Sequence, residues 1–122
     1  MKVLVGVIML ALSSGCATVD PWTRADSVLY GVYVTSLVTD GVTTSRIKDY
    51  PCIREAGPAA HVLGTQPGST ETALYFGTLA VTNFFIARWM SSDWRKLWLG
   101  GNAIAHGSAA YSNRKLQSAG CP

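Results

Sequence analysis

Charge is scarce in this chain. Asp, Glu, Lys and Arg make up 14% of its 122 residues, against about 25% in an average soluble domain. Ten Lys and Arg against seven Asp and Glu leave a net charge of +3 with no basic cluster. That excludes a nucleic-acid binder that works by neutralising phosphates. Intrinsic disorder is excluded as well, since it requires low hydrophobicity and high net charge, whereas 48% of the residues are apolar and mean hydropathy is +0.22. Catalytic signatures are missing: there is no G-x-S-x-G elbow, no phosphate-binding glycine loop, no CxxC, and the two histidines lack metal-ligand spacing. The expectation is a protein that is not an enzyme and that holds neither metal nor cofactor. No apolar run reaches the roughly 20 residues of a bilayer-crossing helix. What remains is one small domain, apolar enough to belong in or beside a membrane.

The first 16 residues divide into three zones. Met1-Lys2 is a minimal positive start, Val3 to Leu12 is an apolar run of ten, and Ser13-Ser14-Gly15-Cys16 brings small residues up to a cysteine. Ten residues make about 15 Å of helix, half the hydrocarbon thickness of a bilayer but the usual size of a signal-peptide core. Small residues leading into a cysteine resemble the bacterial lipoprotein signal, in which the thiol receives diacylglycerol and becomes the acylated N-terminus. Ser13 departs from that pattern, which prefers Leu there, and Leu12 stands one place early. The competing reading is ordinary cleavage after Ala17, with Gly15 and Ala17 as a small-x-small site and no lipid. The resemblance implies a signal at 1–16, a mature domain at 17–122, lipidation at Cys16, and membrane lipid as the partner of that acyl group. Ala17, where Asp would favour inner-membrane retention, resembles an outer-membrane address on the periplasmic side.

With Cys16 lipidated, Cys52 and Cys121 form an even pair in a compartment where disulfides persist. Closing a loop of about 70 residues would stabilise by roughly 4 kcal/mol in the chain-entropy model. Two unrelated thiols are the alternative.

The rest reads as all-α: a signal helix followed by a three-helix antiparallel bundle, with helices near 21–50, 70–90 and 93–113. Asp20 can cap the first, with Pro21 at its first position; Thr23 with Asp26 is an alternative start. Leu29, Tyr33, Leu37, Thr44 and Ile47 share one face at helical period. Residues 51–69 hold three Pro and three Gly and form a loop in which His61 is exposed. Ser69 can cap the second helix, which is uncharged from Thr72 to Ala87, and the third is uncharged from Leu97 to Asn113. Trp89, Trp94 and Trp98 gather with Arg88, Arg95 and Lys96 at the turn between them, like an interfacial belt of aromatic bodies and basic tips. Two readings stand: helices packed on or in a membrane, or a compact periplasmic bundle with the helices simply buried.

Polar residues interrupt these apolar runs. Asp40 and Thr44 lie on the inner face of the first helix, Asn83 on the second, and Asn102, His106 and Asn113 on one stripe of the third. Together they suggest one interhelical polar layer, acting as structural glue or handling a proton, ligand or ion. A hydrolase would gain support only if His106 and Asp40 stood side by side at an open cleft.

Asp40 with Thr43 and Thr44, Glu55-Ala56-Gly57-Pro58, Leu63-Gly64-Thr65-Gln66-Pro67 and Tyr75-Phe76 resemble landmarks of a family of short envelope proteins encoded by phages and prophages of Gram-negative bacteria. Gly57 stands where that family has Asn, and three extra residues separate Pro58 from Leu63. The resemblance implies helices and an envelope location and lends no activity. The expected role is structural or interaction, as in host-envelope modification or superinfection exclusion. Help in lysis is weakened as a role, because outer-membrane spanin subunits are proline-rich and extended rather than helical. A second envelope protein or another copy of the chain is the implied protein partner; no catalytic residue carries over.

Overall fold

The computed structural model describes residues 19–121; the signal at 1–16 and the lipidation candidate Cys16 lie outside them. The described residues are mostly helical, with no strand among them. Helix α1 spans Arg24–Ser45, α2 is a single turn at Ala60–Leu63, α3 spans Ser69–Arg88 and α4 spans Ser92–Ala119. A 3₁₀ turn at Ile47–Asp49 follows α1. No helix among the described residues is long and apolar enough to cross a membrane.

Local chemistry sets the helix ends, and several differ from expectation. Thr23, not Asp20, caps α1: the Asp26 N–H donates to Thr23 Oγ1 at 3.2 Å, and the Thr23 N–H donates back to Asp26 Oδ2 at 2.8 Å. This reciprocal capping box occupies two amides that the helix leaves open. Asp20 instead accepts from the Ser92 N–H at 2.7 Å and so caps α4 from 72 residues away. The α1 path ends at Ser45 rather than at residue 50. Thr43 and Ser45 hydroxyls turn back to backbone carbonyls of Asp40 and Val42, a competition that weakens a helix, and Tyr50 is extended ahead of Pro51. Within the region read as loop, Ala59 and Ala60 support the one-turn α2, which stops at Gly64 with φ +78°. Gly68, not Ser69, is the N-cap of α3; the Ser69 hydroxyl accepts from Lys48 Nζ at 2.7 Å. Helix α4 runs six residues past 113.

Cross-helix hydrogen bonds give the directions. Tyr30 and Tyr33 hydroxyls, early in α1, donate to Ala80 and Leu79 carbonyls at 2.8 and 3.3 Å, in the later half of α3. Asp26, Asp40 and Thr44 meet Arg95, His106 and Asn113 in that order along α4. Thus α1 and α4 run the same way and α3 opposes them. The apolar core is small: Tyr33, Leu37, Phe76, Ala87, Leu99 and Ala103. At Gly41 a β-carbon would stand 3.2 Å from the Phe76 ring, so the missing side chain admits that ring.

One end is organised around Arg95, which is 0% exposed. Its Nε donates to Ala87 O at 2.9 Å, and Nη1 donates to Asp26 Oδ2 at 2.8 Å and to Pro21 O at 3.3 Å. Nη2 donates to Asp20 O at 2.8 Å and Met90 O at 3.0 Å. All five guanidinium N–H groups are therefore occupied, and the Trp22 ring covers the group with its centroid 5.2 Å away. This corrects the expectation that Arg95 is a basic tip in water beside Arg88 and Lys96. A tip in water would leave Asp26 buried without a counter-charge. Asp26 Oδ1 is the single buried side-chain nitrogen or oxygen without a partner among the described residues.

Cys52 and Cys121 are joined by a disulfide with Cα atoms 5.7 Å apart, tying the start of the 51–68 loop to the end of α4. The loop is also held by the Glu55 N–H donating to Thr65 O at 3.0 Å.

Burial alone would raise the Asp26 pKa, but hydrogen bonds from the Thr23 backbone and hydroxyl, with the hydrogen bond and charge of Arg95, hold it below the usual carboxylate value. A carboxylate depressed on folding contributes stability above the ordinary range near pH 4, and this is lost as pH falls through the folded value. Arg95→Ala should cost about 3–5 kcal/mol, because it strands the buried Asp26 charge; urea unfolding followed by circular dichroism measures it. The paired replacement Asp26→Leu with Arg95→Met should cost far less and flatten the loss of stability below about pH 4. Reducing the disulfide, or Cys52→Ser with Cys121→Ser, should lower the unfolding free energy by about 4 kcal/mol in the same assay.

Candidate functional site

Residue 40 lies four turns along α1, on the face that meets α4. There Asp40 Oδ2 and His106 Nδ1 are 2.7 Å apart, and Thr44 Oγ1, one turn on, lies 3.4 Å from Asp40 Oδ1. An ionised carboxylate only accepts, so Nδ1 carries the proton and donates, which leaves Nε2 of a neutral ring as a free base. Nε2 makes no hydrogen bond within the described residues and is not sealed from solvent. The Tyr33 and Phe76 rings flank the imidazole at centroid distances of 6.1 and 5.9 Å.

The loop adds a second carboxylate. Glu55 Oε2 also lies 3.4 Å from Thr44 Oγ1, whose single proton goes to one carboxylate or the other, and its Oε1 accepts from the Gly57 N–H at 2.8 Å. Below this level Asn113 Nδ2 donates to Thr44 Oγ1 at 3.2 Å, and Gln117 Nε2 donates to Thr43 O at 2.6 Å. Asp40, Thr44, Glu55, Asn102 and His106 line one open cleft of about 320 Å³, walled by Tyr75, Phe76, Leu79 and the 57–59 segment. A separate cavity of about 310 Å³ between α1 and α3 is apolar with a few hydroxyls and has no titratable lining.

The expected layer is thus brought together only in part. Asp40, Thr44 and His106 meet. Asn102 borders the same cleft, but its amide donates to Trp98 O on its own helix at 2.8 Å. Asn83 belongs elsewhere: it accepts from Trp98 Nε1 at 2.7 Å and donates to Leu79 O at 2.9 Å, so it bridges α3 to α4 nearer the Arg95 end. Its amide and the indole N–H satisfy each other, which removes any need for a carboxylate partner. Glu55 was not a sequence candidate; nothing in a Pro/Gly-rich loop reveals which turn it will reach. His61 is exposed. Of the motif residues noted in the sequence, Asp40, Thr44, Glu55, Gly57, Pro58, Tyr75 and Phe76 line the cleft, whereas Thr43 and residues 63–67 do not.

Chemically, an imidazole oriented by a carboxylate at an open cleft can accept a proton or a hydrogen bond. This is the adjacency that a hydrolase reading asks for; among the described residues no serine, threonine or cysteine hydrogen-bonds Nε2. No group of three His, Cys, Asp or Glu side chains suited to a metal occurs among them either.

Nitrogen-15 NMR of His106 should show the Nδ1–H tautomer in its neutral form, with the opposite tautomer gaining population in Asp40→Asn. His106→Ala should destabilise by about 1–3 kcal/mol, since it removes one of the two hydrogen-bonded partners of a buried carboxylate.

No protein-family model, curated protein or solved structure matches this chain.

Proposed function

We propose that this is an exported, lipid-anchored helical protein of the bacterial cell envelope with a structural or interaction role. Its three long helices would act as an antiparallel bundle against the membrane to which Cys16 attaches it. The observation carrying this reading is the number of large apolar side chains left exposed beside buried polar ones. Asp26, Asp40, Thr43, Thr44, Thr72, Asn83 and Arg95 are buried, while Val28, Val32, Leu74, Val81, Phe85, Leu97 and Ile104 are exposed. Neither α1 nor α3 has a polar outer face. A helix in water normally presents charge outward; here Thr72–Ala87 and Leu97–Asn113 carry none. Those stretches of 16 and 17 residues are about 24–26 Å long. Charged side chains collect at the two ends, and Trp89 and Trp94, 70% and 68% exposed, stand at one of them, as membrane-interface aromatics do.

Lipid is the covering these faces fit, with a second envelope protein or another copy as the protein-side partner. The outer membrane, facing the periplasm, is favoured over the inner. A disulfide across the mature chain accords with an oxidising compartment. Within the phage-type resemblance, the role is modification of the host envelope or exclusion of a second infection. A second reading rests on the Asp40–His106 pair at an open cleft: a small membrane protein that binds or moves a ligand or ion through its polar layer.

Intact mass of the protein extracted from membranes should show a diacyl or triacyl increment on a chain beginning at Cys16, absent from Cys16→Ser. A bare chain beginning at Thr18 or Met1 would overturn the anchor. Cys16→Ser should still sediment partly with membranes through its uncharged faces; full release into the soluble fraction would count against them.

A further inference from the structure

We infer that the cleft between α1, α3, α4 and the 53–59 loop binds a small organic cation, an ammonium group carried on an aromatic or branched apolar body. The inference rests on the second reading above, that this cleft is a binding site, and names the class of ligand.

Charge comes first. Asp40 and Glu55 both line the cleft, and neither lysine nor arginine does. If His106 is neutral the lining carries two negative charges; if it is protonated, one remains. In either state the cleft rejects an anion and attracts a cation. Asp40 is held by His106 Nδ1 and Glu55 by the Gly57 N–H, with the one Thr44 hydroxyl 3.4 Å from both, so they are oriented before a ligand arrives.

Shape and surface come second. A volume of about 320 Å³ sits at the small end of ligand pockets, too large for a bare metal ion and right for a ligand of roughly ten heavy atoms. The Tyr75 and Phe76 rings, edge to face with centroids 5.2 Å apart, wall one side, and Leu79 extends it. Aromatic faces attract ammonium groups through their quadrupole and pack the apolar remainder. His106 Nε2, open and able to accept, gives a second N–H of a primary ammonium somewhere to go.

The test uses the purified full chain and three probes of one shape and different charge: benzylammonium, benzyl alcohol and benzoate. Amide NMR shifts are followed in titration. Benzylammonium should saturate, shifting residues 40, 55, 75, 76 and 106, with a Kd of about millimolar for so small a molecule. The alcohol and benzoate should bind at least about tenfold more weakly. Glu55→Gln should weaken benzylammonium by about tenfold, the scale of one charge-assisted contact, while its melting curve stays close to wild type. Equal binding of the alcohol or benzoate would overturn the cation inference and leave a binding cleft standing. Failure of all three probes to shift the folded wild-type protein would overturn both. Should Glu55→Gln not fold, the three-probe comparison on wild type decides alone.

Discussion

A guanidinium buried without water at one end of the molecule is the constraint from which the rest is built. Arg95 has to place five N–H groups, and it does so by gathering the Asp26 carboxylate and the carbonyls of Asp20, Pro21, Ala87 and Met90. Those acceptors come from the segment entering α1, the first turn of α1 and the end of α3. One side chain on α4 therefore sets where three chain segments meet. Removing a buried charge from its partner costs far more than the pair contributes, so the register between α1 and α4 is specified here. Every later contact along the α1–α4 seam inherits that register: Asp40 to His106, Thr44 to Asn113 and Thr43 to Gln117.

The seam is polar because the outside is not. With Val, Leu, Phe, Ile and Trp left on the exposed faces, the main apolar cluster has six buried side chains with partly buried ones packed against it, and hydrophobic contrast between inside and outside is weak. Hydrogen bonds and the buried ion pair supply the specificity that an apolar core would otherwise give. At the far end a disulfide ties the loop to the α4 terminus, beside the buried Ile47 and Ile53.

The cleft is a product of the same arrangement. Gly41 lets the Phe76 ring approach α1, α4 presents only alanines at 105 and 109, and the loop crosses over with Glu55. Small residues on one wall and rings on the other leave a space lined by Asp40, Glu55 and His106, with His106 Nε2 unpaired among the described residues. Of that lining, Asp40, Thr44, Asn102 and His106 were legible as inward-facing residues from helical spacing. Glu55 was not, because a loop has no period from which to read direction. Asn83 was misplaced since period gives the face of a helix and not its height relative to a neighbour.

The sequence by itself determined the helical class, the inner face of α1 through Tyr33, Leu37 and Thr44, the long Pro/Gly loop and the uncharged stretches of the last two long helices. These are local or periodic properties, which propensity and 3.6-residue spacing encode directly. Only the tertiary structure decided that Asp20 caps a helix 72 residues away, that Arg95 is buried rather than wet, and that Glu55 joins Asp40 and His106. Each of these depends on the relative height of two helices or the path of a loop. No residue carries that information alone, because it is set by which buried charge finds which partner.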